Sequence, residues 1–366
     1  MSWAARLAVR LSLVLVLGAL GTELLLRQLI WSDLELAEPL RRAWRYSAKN
    51  EDEYWKLLYL FGESSPREST EYYDPLLGWV SAAVEPLTRR HLDAESVGDR
   101  RPVLLYGDSF AECTTAAADC FQGLFAESPL SETHWLLNYG VGGYGLDQIY
   151  LMLRETLQDW ADRDPIVVVG VMVDDDMDRS LLTIRDWPKP RLVSTEDGLV
   201  VENTVPESKT AYLEERPVRV TSYLWKGLVQ GSSVLPESWR ETLSGARARE
   251  EAVRRANEPI LAAMAELLED AGVTAFFVAF HGESLVERRW GEWRHEYFVE
   301  QLERAGRPWV SARAALDADR EATGRAVEDY FLHEGGGAGH YNPLGNRVVF
   351  RALLSGLNGS FDGGKP

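Results

Sequence analysis

The chain has 366 residues, 45% hydrophobic and 26% charged, enough for one large α/β domain plus a membrane segment, or for two smaller domains. A net charge of -18 and a pI near 4.9 argue against nucleic acid as the main partner, although a local basic patch stays compatible with them. The two cysteines, Cys113 and Cys120, lack metal-site spacing, and there is no CxxC pair.

Leu11 to Trp31 is the longest apolar stretch. At ~1.5 Å per residue it reaches about 31 Å as a helix, the thickness of a bilayer core. Arg6 and Arg10 precede it, while Asp33, Glu35 and Glu38 follow it. Arg41, Arg42 and Arg45 on the far side weaken the basic bias, which still favours a cytoplasmic N-terminus and an extracytoplasmic bulk. Glu23 and Arg27 are four apart and can pair near the outer end. The rival reading is a cleaved signal peptide, with Ala19-Leu20-Gly21 as a small-residue cleavage site. Residues 1–31 are therefore expected to be a membrane anchor or signal segment. Residues 32–71, charged and aromatic, read as a stalk or wrapping segment with a helix near Glu53 to Leu60. Tyr73 to Trp79 reads as a turn leading into the main domain.

From residue 102 the pattern alternates strand and helix. Val103-Leu104-Leu105-Tyr106 is a short apolar strand that breaks at Gly107-Asp108, with Ser109 next. A hydroxyl at such a break is held by rigid backbone and faces solvent, which suits a nucleophile; helix capping is its ordinary alternative use. A second strand ends at Leu136 to Asn138, and Leu146 to Trp160 is an amphipathic helix. Ile166 to Val173 and Val273 to Phe280 read as fully buried parallel strands. Helices are expected near Glu250 to Ala271, at Glu292 to Ala305, and at Pro343 to Leu357, with a fifth short strand at Trp309-Val310. This alternation predicts a doubly wound, mostly parallel five-stranded sheet. Residues 180–248 interrupt it with a hairpin, Arg191 to Thr195 and Leu199 to Asn203, and a Pro-rich polar stretch. That insertion is too long for a plain connection and reads as a lid or a surface for a protein partner. Residues 358–366 read as a flexible tail.

In open α/β sheets, ligands bind beyond the carboxyl ends of the strands. Four stretches fall there: Gly107-Asp108-Ser109-Phe110, Asn138 to Gly143, Asp174-Asp175-Asp176, and His340 to Asn346. Glycines 140, 142 and 143 allow a tight turn whose N–H groups face a ligand. The same glycines could instead serve helix–sheet packing, and the acidic run could be a solvated loop. For Cys113 and Cys120, a straight helix would put the Cα atoms about 10 Å apart, too far for a bridge. A loop at Thr114-Thr115 would bring them into range in an oxidising compartment.

The order and placement of these stretches resemble the SGNH (GDSL-like) hydrolase superfamily, over about residues 72–357 with 180–248 as an insertion. The anchor and the Asp74-to-Trp79 turn are similar to membrane-anchored bacterial members. The resemblance implies a flavodoxin-like fold; no cofactor is expected, and no metal, since His333 and His340 could pair but have no third ligand at characteristic spacing. It implies Ser109 as nucleophile, His340 as general base, and backbone N–H groups of Ser109 and Gly143 as oxyanion donors. Two positions depart from the family. Where it has an Asn that donates to the oxyanion, this chain has Asp175, which must be protonated, turned away or replaced by another donor. Where it has an Asp three residues before the His, this chain has Gly337. Glu334, reaching back through the glycine-rich loop, is the candidate third member; Asp329 and a backbone carbonyl are alternatives. The implied function is an anchored, extracytoplasmic serine esterase or acyltransferase acting on an acylated glycan or lipid. The competing expectation is a degenerate module that binds carbohydrate or a partner protein.

Overall fold

The apolar runs become one parallel sheet. The computed structural model describes residues 2–63, 72–202, 205–206, 208–229, 245–288 and 292–362. Its central strands are β1 (Arg101–Tyr106), β2 (His134–Asn138), β3 (Ile166–Met172), β4 (Thr274–Phe280) and β5 (Trp309–Ser311). They lie in the order β2-β1-β3-β4-β5, and every pair is parallel. Leu104 stands opposite both Leu137 and Val167, and Val168 opposite Phe276.

The longer helices are α1 (Trp3–Ile30), α2 (Asp52–Leu60), α3 (Leu146–Thr156), α4 (Ala246–Asp270), α5 (Glu292–Arg304), α6 (Ala312–Thr323) and α7 (Pro343–Asp362). Strand side chains alternate between the two faces. Leu104 and Tyr106 join one core with Ile149 and Leu153 of α3, Ile260 of α4 and Phe298 of α5. Val103 and Leu105 join the other with Leu316 of α6 and Val349 and Leu353 of α7. The sheet is thus covered on both sides, which is why β1 and β3 read as continuous apolar runs. The sequence placed these elements correctly and missed some ends. The helix expected over 146–160 is α-helical only to Thr156 and continues as a 3₁₀ stretch, Leu157–Arg163. The last helix runs through Asp362, and 363–366 lie outside the described residues.

The chain divides into two compact units. One comprises Ser69–Thr183, Lys189–Val205 and Ala252–Pro366 and carries the sheet. The other comprises Met1–Glu68, Ile184–Pro188 and Pro206–Glu251. The insertion expected as one block is thereby shared. Its hairpin, Arg191–Thr195 with Gly198–Glu202, belongs to the sheet unit. At the head of this hairpin the ammonium of Lys189 is fully buried and meets Asp147 Oδ2 of α3 at 2.6 Å. The carbonyls of Arg179, Leu182 and Pro190 lie within 3.3 Å of it and leave no buried proton unmatched. Within the N-terminal unit, Ile30 of α1, Leu57 of α2, Ala43, Tyr46, Val220 and Tyr223 form a separate small core. Among the described residues, α1 is the one helix long and apolar enough to cross a membrane.

Cys113 and Cys120 are disulfide-bonded, with Cα atoms 5.6 Å apart. The helical turn Ser109–Glu112 ends at Cys113, and a 3₁₀ turn, Ala117–Asp119, brings Cys120 back. Denatured, unreduced protein should therefore release no free thiol to a thiol reagent and two after reduction. Two thiols before reduction would show that the bridge does not form.

Candidate active site

In this strand order the topological switch lies between β1 and β3, and Ser109 leaves the carboxyl end of β1. The break needs Gly107, since a Cβ there would sit 2.7 Å from Ala111 Cβ and 2.8 Å from the Gly170 carbonyl oxygen. Asp108 Oδ1 accepts the Phe110 N–H at 2.9 Å and caps the turn. Ser109 is left partly exposed with its Oγ 2.7 Å from His340 Nε2.

The tautomer of His340 follows from its other nitrogen. Nδ1 lies 3.0 Å from the Gly337 carbonyl oxygen, which can only accept. Nδ1 therefore carries the proton, and Nε2 presents its lone pair to the Ser109 hydroxyl. Phe110 packs against the imidazole, ring centres 4.9 Å apart. The neighbouring Tyr341 hydroxyl donates to the His281 carbonyl and accepts the His281 N–H, which pins this loop to the end of β4.

The partner of His340 Nδ1 is thus a main-chain carbonyl, one of the alternatives the sequence left open. Glu334 is a correction: it is exposed, and the Gly337 carbonyl occupies the Nδ1 side of the ring. The Leu332 and Gly339 N–H groups, on the His340 and Leu332 carbonyls, close the loop tightly. A Cβ at Gly337 would fall 2.9 Å from Leu332 Cδ1 and 3.0 Å from Thr114 Oγ1, so a side chain there would need both neighbours to shift. Asp329 is also elsewhere, with its Oδ2 on the Ala326 N–H.

The second stretch is held from two sides. Trp79 Nε1 donates to the Gly142 carbonyl at 3.0 Å, and the Gly142 N–H donates to Glu112 Oε2 at 2.6 Å. Gly143 follows at φ 86°, a conformation glycine adopts freely. Among the described residues no protein acceptor takes the N–H of Ser109 or of Gly143. Both are available to a ligand oxygen.

The third stretch surrounds a residue that the sequence reading missed. Arg179 is buried, and its Nη1 contacts Asp108 Oδ2 at 3.0 Å, Asp176 Oδ1 at 2.7 Å and the Tyr144 carbonyl at 2.9 Å. Its Nε and Nη2 donate to Asp175 Oδ2 at 2.9 and 2.7 Å. Asp175 is therefore the second correction: its Oδ2 is an acceptor for two guanidinium N–H groups, not a hydroxyl donor. Burial alone would lower the Arg179 pKa, but the charges of Asp175, Asp176 and Asp108 outweigh it and raise it. One cation cannot balance three anions. Burial, then the neighbouring Asp108 carboxylate, push the Asp176 pKa well up. The spacing Asp175, Asp176, Arg179 was the available signal, since i,i+3 and i,i+4 partners share a helix face.

No family model matches this sequence, and no curated protein does. Solved structures similar to it include an α/β hydrolase enzyme from the metagenome of Lake Arreo, Spain, at 12% identity and a TM-score of 0.40, covering 70% of this chain and 95% of that one. A catalytic mutant of an acetylxylan esterase from Geobacillus stearothermophilus is 12% identical with a TM-score of 0.38, over 70% of this chain and 94% of that one. A member of the lipolytic protein G-D-S-L family from Veillonella parvula is 10% identical with a TM-score of 0.37, over 69% and 96%. At this distance the likeness carries no weight for activity, which must come from the site itself.

Asp174 sits beside this cluster, with Oδ2 accepting the Gly282 N–H at 3.0 Å and Oδ1 buried. Burial raises its pKa from 3.8 to about 7. A carboxyl that binds its proton more tightly folded than unfolded favours folding at low pH. Stability contributed by Asp174 should be full below pH 4, decline as pH rises towards 7, and stay flat above that. The loss is on the order of 4 kcal/mol, three units at about 1.4 kcal/mol each. Urea unfolding should show Asp174→Asn more stable than wild type at pH 8, with the advantage gone by pH 4. Equal differences at both pH values would mean that Asp174 does not titrate in this window.

Proposed function

We propose that the chain is a serine ester hydrolase of the SGNH type. The observation that carries this reading is the 2.7 Å contact between Ser109 Oγ and His340 Nε2, with the tautomer set by the Gly337 carbonyl. In the first step Ser109 Oγ bonds to the ester carbonyl carbon while its proton passes to Nε2. The carbonyl oxygen takes the electron pair and is met by the N–H groups of Ser109 and Gly143. Collapse expels the alcohol, which leaves with the proton from Nε2. Water then repeats the sequence and releases the acid; an acceptor alcohol in place of water would make the reaction an acyl transfer.

Arg179 acts here as a positioning residue. It ties Asp108, which precedes the nucleophile, to the Tyr144 carbonyl, which follows the oxyanion glycine. The substrate we infer is an O-acyl ester on a glycan or lipid. The apolar α1 supports a location at a membrane, with the bulk of the chain extracytoplasmic. The disulfide accords with an oxidising compartment.

The test is turnover of p-nitrophenyl acetate by the purified full chain. Ser109→Ala and His340→Ala should each lower kcat by about 10⁴-fold or more. A Ser109→Ala protein that matches wild type would leave a binding module as the better reading. Arg179→Lys keeps one charge but cannot hold all four oxygens. It should stay folded and lose about 10²-fold in kcat, the scale of a 1 Å displacement, with little change in KM. An unchanged kcat would show that the clamp does not position the nucleophile.

A further inference from the structure

Glu23 and Arg27 lie on α1, a helix otherwise composed for lipid. If the span begins at Leu11, about 30 Å of hydrocarbon ends near Ile30, and Glu23 lies about 10 Å inside that boundary. Charges at such a depth need partners within the protein. The partners come from residues 220–224. Glu23 accepts from Arg27 Nε, Tyr223 N, Leu224 N and Ser222 Oγ, all at 2.7–3.1 Å. Arg27 Nη2 donates to the carbonyls of Val220 and Thr221 at 3.0 and 2.8 Å. Trp31 Nε1 donates to the Tyr223 hydroxyl at 3.1 Å. The N-terminus of the short helix Tyr223–Val229 is thereby fixed to α1 at the level of Glu23.

That helix has two faces. Tyr223 and Val229 are buried, whereas Trp225 and Leu228, three apart on one face, are 48% and 43% exposed. Exposed Trp31 continues the apolar surface at the end of α1. Amphipathic aromatic and aliphatic residues between the depth of Glu23 and the boundary match the ~5–10 Å to which an interfacial helix buries its apolar face.

We propose that the Tyr223–Val229 helix is a second lipid contact, seated in the bilayer interface beside the C-terminal end of α1. The proposal rests on the reading of α1 as a membrane span. The part-buried pair and the capping carboxylate hold 220–224 to α1 in water as well. In lipid, pairing the Tyr223 and Leu224 N–H groups, the Ser222 hydroxyl and the Val220 and Thr221 carbonyls with Glu23 and Arg27 removes most of the cost of seating this segment there. The insertion thereby fixes part of the N-terminal unit at the membrane surface.

The experiment uses the full chain in phosphatidylcholine–phosphatidylglycerol vesicles. Because Cys113 and Cys120 are bridged, one added cysteine can be labelled with the fluorophore NBD without reductant. Trp225→Cys and Leu228→Cys are compared with Leu13→Cys inside the span and Glu196→Cys on the exposed hairpin. The proposal expects labels at 225 and 228 to lose most of their quenching by aqueous iodide and to be quenched by nitroxide-bearing lipid, as the label at 13 is. The label at 196 should behave oppositely. Labels at 225 and 228 that follow 196 while 13 stays shielded would overturn this proposal alone. A label at 13 open to iodide would overturn the span as well.

Discussion

A single buried guanidinium holds the candidate site together. Arg179 reaches the carboxylate of the nucleophile turn, the carbonyl after the glycine loop and two carboxylates that follow β3. These segments lie far apart in sequence, and the parallel sheet delivers each to the same edge. Delivery alone leaves loops free to shift. The clamp converts a shared edge into fixed distances, because a planar fork of donors accepts few arrangements of its partners. It also makes the arrangement sensitive. Removing the cation would leave buried carboxylates unpaired, a defect that typically costs about 3–5 kcal/mol.

The sheet was legible because its strands are buried on both faces and therefore continuous in apolar, β-branched residues. Val167-Val168-Val169 has no other comfortable place in a soluble domain. Ser109 was legible as a hydroxyl where β1 breaks into a turn, whereas His340 was singled out only by the resemblance that the four stretches carry in order. The third partner of His340 was not legible, since a main-chain carbonyl leaves no mark on a sequence. What the sequence did hold was the glycine at position 337, where a Cβ would press on Leu332 and Thr114. Asp175 was misassigned for a related reason: three consecutive aspartates give no sign of which one turns toward an arginine. The insertion looked uniform because composition does not record that Ile184–Pro188 and Pro206–Glu251 belong with the N-terminal residues while the hairpin between them belongs to the sheet unit.

The missing carboxylate behind His340 has a counterpart on the other side of the dyad. Asp108 Oδ2 lies 3.3 Å from Ser109 Oγ, which itself lies 2.7 Å from Nε2. In the reaction proposed above, an imidazolium at His340 would have a carboxylate on the serine side, while the neutral Gly337 carbonyl holds the ring and its tautomer. The same carboxylate lies beside the Ser109 hydroxyl, where its charge, left alone, would oppose any negative charge that develops on a bound acyl group. The Arg179 Nη1 on that oxygen moderates the opposition. A further carboxylate at position 337 would add charge to a cluster in which one cation already faces three acids, and in which Asp174 and Asp176 are pushed towards their neutral forms. A polar but uncharged partner for Nδ1 is thus the arrangement that this acidic environment tolerates.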